Sequence, residues 1–189
     1  MLKLHLFYKK ISKLFLNCIY KIKIEGKENI PKEQGYLICS NHIHAFDPIL
    51  INTCTKHQIS YMAKKELFKI PILDLFLKSS GAFPVDRGHS DLNSIKKAIE
   101  ILKNKKVLSI FPEGTRHKDG KFKDIKHGAA FVAIESETKI LPIRIIGNYK
   151  PFSKITVRIG KPINSIGCNK FELTEKLKIA IENLGPVIS

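Results

Sequence analysis

The chain has 189 residues, enough for one domain with a core of its own and too few for two. Hydrophobic residues supply 43% of it, which argues against disorder, and no apolar run reaches the roughly 18–20 residues that cross a bilayer. Lys and Arg number 33 against 17 Asp and Glu, a net charge of +16 that attracts polyanions such as nucleic acid, an anionic membrane or acidic substrates.

The first segment repeats Leu4, Phe7, Tyr8, Ile11, Leu14, Phe15 and Cys18 at three- and four-residue steps, which predicts a helix over 1–19 with one apolar stripe. At about 100° per residue, Lys3, Lys9, Lys10 and Lys13 fall on the opposite side. Such a helix either packs on the domain or lies in a membrane surface, lysines on anionic headgroups. The same lysines break up any signal-peptide core, so secretion is not expected. Strands follow at "YKIKIEG" and "YLICS", then "NHIHAFD", a short helix from Pro48 and the strand "QISYMA". "ELFKIPILDLFLKSSG" predicts a helix that starts at Pro71 and stops at Gly81. "AFPV" runs into "DRG", and "SDLNSIKKAIEILKNKK" is an amphipathic helix capped by Ser90 or Asp91. "VLSIF" runs into "PEGTR", a helix opens near Gly128, "KILPIRIIG" and "KITVRIG" are strands, and "KFELTEKLKIAIENLG" is a closing helix. This alternation predicts an α/β fold with a mostly parallel or mixed central sheet flanked by helices. Cys18, Cys39, Cys54 and Cys168 are scattered without a CxxC pair and read as reduced thiols.

Three polar clusters, "NHIHAFD", "DRG" and "PEGTR", each end a short apolar strand, the edge at which open α/β sheets bind ligands. His42, His44 and Asp47 do not have the spacing of an HxHxDH metal site, because Phe46 and Pro48 stand where ligands are needed. A second reading pairs His42 with Asp47. The carboxylate turns back onto one imidazole nitrogen and leaves the other as a general base, an effect of roughly 10²–10⁴-fold. Asp47 followed by Pro48 also predicts a helix N-cap with Pro in the first turn. On this segment alone the catalytic and the purely structural readings weigh equally.

"NHIHAFD", "GAFPVDRG", "FPEGTR" and "KILPIRIIG", in this order, resemble the four blocks of the glycerolipid acyltransferase family, which includes the 1-acyl-sn-glycerol-3-phosphate acyltransferases. The likeness runs from about Tyr20 to Gly160 and implies a glycerol-3-phosphate acyltransferase-like fold, with a membrane-surface helix at 1–19 and an acyltransferase domain at 20–189. It implies His42 as base, Asp47 as its orienting partner and Asn41 as support for the turn. It assigns Arg87 and the run Glu113, Gly114, Thr115 and Arg116 to binding the acceptor. Arginine offers phosphate a bidentate fork, and Glu113 is expected to orient an arginine or meet a glycerol hydroxyl. Pro142 marks the fourth block, a strand that either lines the acyl chain or is plain core. His44 stands where the family more often has a small or hydroxylated residue, and receives no role.

The implied reaction carries a fatty acyl group from acyl-CoA or acyl carrier protein to the sn-2 hydroxyl of lysophosphatidate, with no metal, no cofactor and no acyl-enzyme. The implied partners are these substrates and the anionic, cytoplasmic face of the cell membrane, met as a peripheral or monotopic protein. Two alternatives compete: an acyltransferase with another lysolipid or glycerol-phosphate acceptor, and a basic nucleic-acid-binding protein. The second rests on charge alone and lacks any basic face interleaved with aromatics.

Overall fold

In the computed structural model seven strands appear among the described residues: β1 (Lys21–Glu25), β2 (Tyr36–Ser40), β3 (Ile59–Lys64), β4 (Ala82–Val85), β5 (Val107–Ile110), β6 (Lys139–Gly147) and β7 (Lys154–Ile159). Five α-helices accompany them: α1 (Leu2–Ile19), α2 (Asp47–Cys54), α3 (Leu92–Lys103), α4 (Gly128–Glu135) and α5 (Lys170–Asn183). The structure describes residues 2–71, 74, 77, 78, 81–85, 92–117, 122 and 124–185, with side chains in the first helix from Leu6 onward, Tyr8 excepted.

The strands form one sheet in the order β1-β7-β6-β2-β5-β3-β4. Every neighbouring pair is parallel except β6 with β7, so the sheet is mixed. β2 lies at its centre and is buried at all five positions, which explains why "YLICS" is an unbroken apolar run. Its side chains alternate between two cores. Ile38 joins Leu16, Leu50, Ile51, Leu141 and Ile143 beneath α1 and α2, while Leu37 and Cys39 join Leu102, Leu108, Val132 and Leu177 beneath α3, α4 and α5. Burying one such Leu or Ile stabilises the fold by about 1.5–3 kcal/mol.

This topology opens the active cleft. β2 and β5 are adjacent and parallel, yet the chain leaves β2 toward the α2 face and leaves β5 toward the α4 face. Two crossovers departing to opposite sides of a sheet part its carboxyl edge and leave a crevice there.

The structure agrees with the sequence reading at the start of the Pro71 helix and differs from it in how the first helix is placed. Ahead of Pro71, Lys65–Lys69 is a 3-10 turn and Ile70 is extended (φ −94°, ψ 111°), because the proline ring disfavours helical geometry in the residue before it. Beyond it the expected helix is present at its described positions Pro71, Asp74, Leu77 and Lys78, and its other residues, like Ser90 and Asp91, lie outside the described residues. Lys9 does not face away from the domain: it is half-buried and donates to the Thr55 carbonyl. The helix docks beside α2 through Lys9 and Leu16, so its apolar stripe points outward, with Phe7 57% and Leu14 67% exposed beside exposed Ile11 and Phe15. Where α1 ends, the β6–β7 turn meets it: the Phe152 amide donates to the Ile19 carbonyl at 2.7 Å, and the Phe152 ring is 74% exposed. No helix among the described residues is long and apolar enough to cross a membrane. All four cysteines are free.

Candidate active site

His42 and Asp47 meet as their five-residue separation suggests, with His42 Nδ1 2.8 Å from Asp47 Oδ2. The same oxygen accepts the backbone amides of Ile43 and His44, each at 2.7 Å. Asp47 is therefore not the N-cap of α2. Phe46 holds that position without a side-chain cap, and the helix begins at Asp47 with Pro48 behind it. The carboxylate turns back because three donors wait within the preceding loop. Its other oxygen, Oδ1, accepts the Tyr149 hydroxyl at 2.5 Å. Asp47 is wholly buried (0% exposed), and a buried carboxylate without partners would cost several kcal/mol. Four hydrogen bonds offset that.

A carboxylate only accepts, so the bonded imidazole nitrogen carries the hydrogen and Nε2 is left with its lone pair. One face of the ring stacks on Phe111, centroids 4.0 Å apart and planes 17° from parallel. The backbone of His42 is held at both ends by the segment after β5. Its amide donates to Glu113 Oε2 at 2.8 Å, and its carbonyl accepts the His117 amide at 2.8 Å. Glu113 is buried; its charge also acts on Arg144 of β6, whose own pKa is lowered by burial and partly restored by Glu113 and Glu182.

Asn41 sits 1% exposed, and its carboxamide grips Ile145: Nδ2 donates to the Ile145 carbonyl at 2.9 Å and Oδ1 accepts the Ile145 amide at 2.7 Å, with the Ser40 hydroxyl also donating to Oδ1 at 3.4 Å. It extends the β2–β6 ladder by one rung beyond Ser40 and so fixes the base of the catalytic loop. Gly114 takes a left-handed conformation (φ 74°), open to glycine at no steric cost. Thr115 and Arg116 are exposed at the rim. Arg87 lies outside the described residues; Val85, two positions earlier, lines the cleft.

The cleft measures about 320 Å³. Its polar lining is His42, Ser109 and Lys126 beside Gly114 and Gly128, and Met62, Ile95, Ile110, Phe111, Ala129 and Val132 supply apolar lining. Pro142 and its strand neighbours Leu141, Ile143 and Ile145 are buried, so the fourth block is core. Sequence reading missed Lys126, whose ammonium lies against Gly114, and the only hint was "KHG" at a helix start. It also missed Tyr149. His44, left without a role, stacks on Tyr149 (4.1 Å, 17°) and accepts the Phe46 amide on Nδ1 at 3.2 Å. Among the described residues no group of three His, Cys, Asp or Glu side chains is placed to hold a metal.

An acyltransferase family model matches residues 21–146. The chain belongs to that acyltransferase family. Among its relatives, the 1-acyl-sn-glycerol-3-phosphate acyltransferase of Bacillus subtilis is 33% identical over 91% of this chain and 88% of its own length. That of Borreliella burgdorferi is also 33% identical, over 71% of this chain and 54% of its own length. The crystal structure of the 1-acyl-sn-glycerophosphate acyltransferase PlsC from Thermotoga maritima superposes with a TM-score of 0.81, at 25% identity, covering 95% of this acyltransferase and 77% of that chain.

Proposed function

We propose that this acyltransferase moves a fatty acyl group from acyl-CoA or acyl carrier protein to the sn-2 hydroxyl of 1-acylglycerol 3-phosphate, giving phosphatidate. The observation that carries the reading is the His42–Asp47 pair, with His42 lining a cleft shared by Lys126 and a set of apolar side chains. His42 Nε2 takes the acceptor's hydroxyl proton as the oxygen attacks the thioester carbonyl. The tetrahedral centre then expels the thiolate, which recovers that proton from the imidazolium, so no acyl-enzyme forms. Thr115, Arg116, Lys126 and the Gly114 turn bind the acceptor phosphate, joined by Arg87. Glu113 acts through the His42 backbone, and Asn41 through the β6 ladder. The apolar walls take acyl chain.

The exposed stripe of α1 sets the molecule on the cytoplasmic face of the membrane, where the acceptor resides. Phe7, Ile11, Leu14 and Phe15 enter the acyl boundary, Phe152 adds to the same surface at the helix end, and the net positive charge draws the protein to anionic lipid.

The deciding assay follows thiol release from an acyl thioester. Release that depends on lysophosphatidate and is lost in His42→Ala is expected. A folded, membrane-bound protein that releases no thiol with any lysolipid ends the proposal. The same assay run over a panel of lysophospholipids, glycerol 3-phosphate and aminolipids, with both donor types, fixes acceptor and donor.

A further inference from the structure

Asp47 leaves none of its oxygens to solvent, and the bond to Oδ1 comes from outside the catalytic loop. Tyr149 lies 102 residues further along the chain, on the turn between β6 and β7. Three rings fix its position. Its ring stacks on His44, meets Tyr20 edge-on at 5.3 Å, and meets Phe46 edge-on at 6.3 Å. The phenol is aimed at one atom, Asp47 Oδ1. We propose that Tyr149 is a positioning residue of the acyl transfer, the third member of a Tyr149–Asp47–His42 relay, with His44 as the plate against which its ring is set. This rests on the reading of His42 as the base.

Hydrogen-bond geometry gives the relay its function. A carboxylate that accepts only on Oδ2 could rotate and present either oxygen to His42. With Oδ1 tied to Tyr149 and Oδ2 tied to two loop amides, the carboxylate plane is fixed and the imidazole is held in one tautomer and one orientation. The phenol also withdraws charge from the carboxylate. Its strength as a donor persists across the working pH range, because burial and the Asp47 charge push the Tyr149 hydroxyl well above its ordinary value. The charged and titratable groups that face this relay are His42 and His44 on the catalytic loop, Tyr20 at the end of α1, Cys54 on α2, and Glu113 behind the His42 backbone.

Tyr149→Phe keeps all three ring contacts and deletes only the hydroxyl. Two effects are expected. The kcat for acyl transfer falls roughly tenfold, the weight of one hydrogen bond to a charged group, while KM for lysophosphatidate stays constant. The acid limb of the kcat/KM profile moves to higher pH, because an Asp47 relieved of one donor favours the His42 imidazolium, and the base becomes available only at higher pH. A purely structural tyrosine would leave that limb in place. Lys150→Ala, on the same turn and exposed, retains the parent profile and controls for loosening of the loop.

The two readings fail separately. An active His42→Ala would remove the base itself, whereas an inactive His42→Ala beside a Tyr149→Phe with parental kcat and limb would overturn the relay alone. Should Tyr149→Phe not fold, the unsubstituted protein still decides. A bond of 2.5 Å to a buried carboxylate gives a slowly exchanging, far-downfield phenolic proton resonance, and its absence would equally overturn the assignment.

Discussion

Asp47 shows how much one side chain can be asked to hold. Its two oxygens take four hydrogen bonds from three side-chain and backbone sources in the loop and one on a distant turn. Asp47→Asn replaces one acceptor oxygen with a donor, so at least one of those four donors loses its partner and the imidazole loses its charge complement. A fall in kcat of about 10²–10⁴-fold is expected, with a lower melting temperature, measured by thiol release and thermal unfolding. Glu113→Ala should act in the same direction by freeing the His42 amide, and Glu113→Gln, which can still accept that bond, should recover most of the loss. The dyad was legible in the sequence because its members are five residues apart. Glu113 was legible as a site residue through its motif, but its bond to the His42 amide was not, and Tyr149 was not legible at all: these contacts reach the centre from 71 and 102 residues away, and no local pattern announces them. The capping role expected of Asp47 failed because an N-cap side chain must point forward into its helix, and this one is held backward.

Among the elements, α1 is the instructive case. Its periodicity was legible, and the strands were too, because an unbroken "YLICS" or "KILPIRIIG" admits few other conformations. The face by which α1 docks was not legible, since an apolar stripe says that something covers it without saying what. The side toward the domain carries Lys9, and burial brings its pKa down to about 8 from 10.5. The unfolded chain therefore binds more protons than the folded one between those values. Lys9 burdens the folded state fully below pH 8, and that burden fades as pH rises toward 10.5. Lys9→Met should accordingly melt higher than the parent at neutral pH, with the difference shrinking as pH rises through that window. Leu16→Ala, on the same side and 1% exposed, should cost about 2–5 kcal/mol by denaturant unfolding.

For the whole molecule, the question is how a protein of net charge +16 with an outward apolar helix meets its surroundings. The chain has no tryptophan, so one introduced residue reports without background. Leu14→Trp should shift its fluorescence to the blue when vesicles containing phosphatidylglycerol are added. The shift should weaken as salt screens the headgroup attraction, and it should be smaller with phosphatidylcholine alone. Phe152→Trp should report the same vesicles from the β6–β7 turn. No shift at either position would separate the acyltransferase from the membrane surface assigned to it.

The loop between His42 and Asp47 carries one more consequence, for the kinds of sequence change it will tolerate. Two of the bonds to Asp47 come from main-chain amides, which belong to positions in the chain and not to particular side chains. Exposed Ala45 can be exchanged with little effect, and apolar substitutions at Ile43 trade packing for packing. Adding or removing one residue between 42 and 47 is a different kind of damage. It rotates every amide out of reach of Oδ2 at once and leaves the carboxylate buried among groups that no longer face it. In this loop the count of residues is a heritable quantity in its own right, beside the identities of His44 and Phe46 that set Tyr149. A scan should find single-residue insertions and deletions uniformly inactive where most substitutions at Ala45 survive.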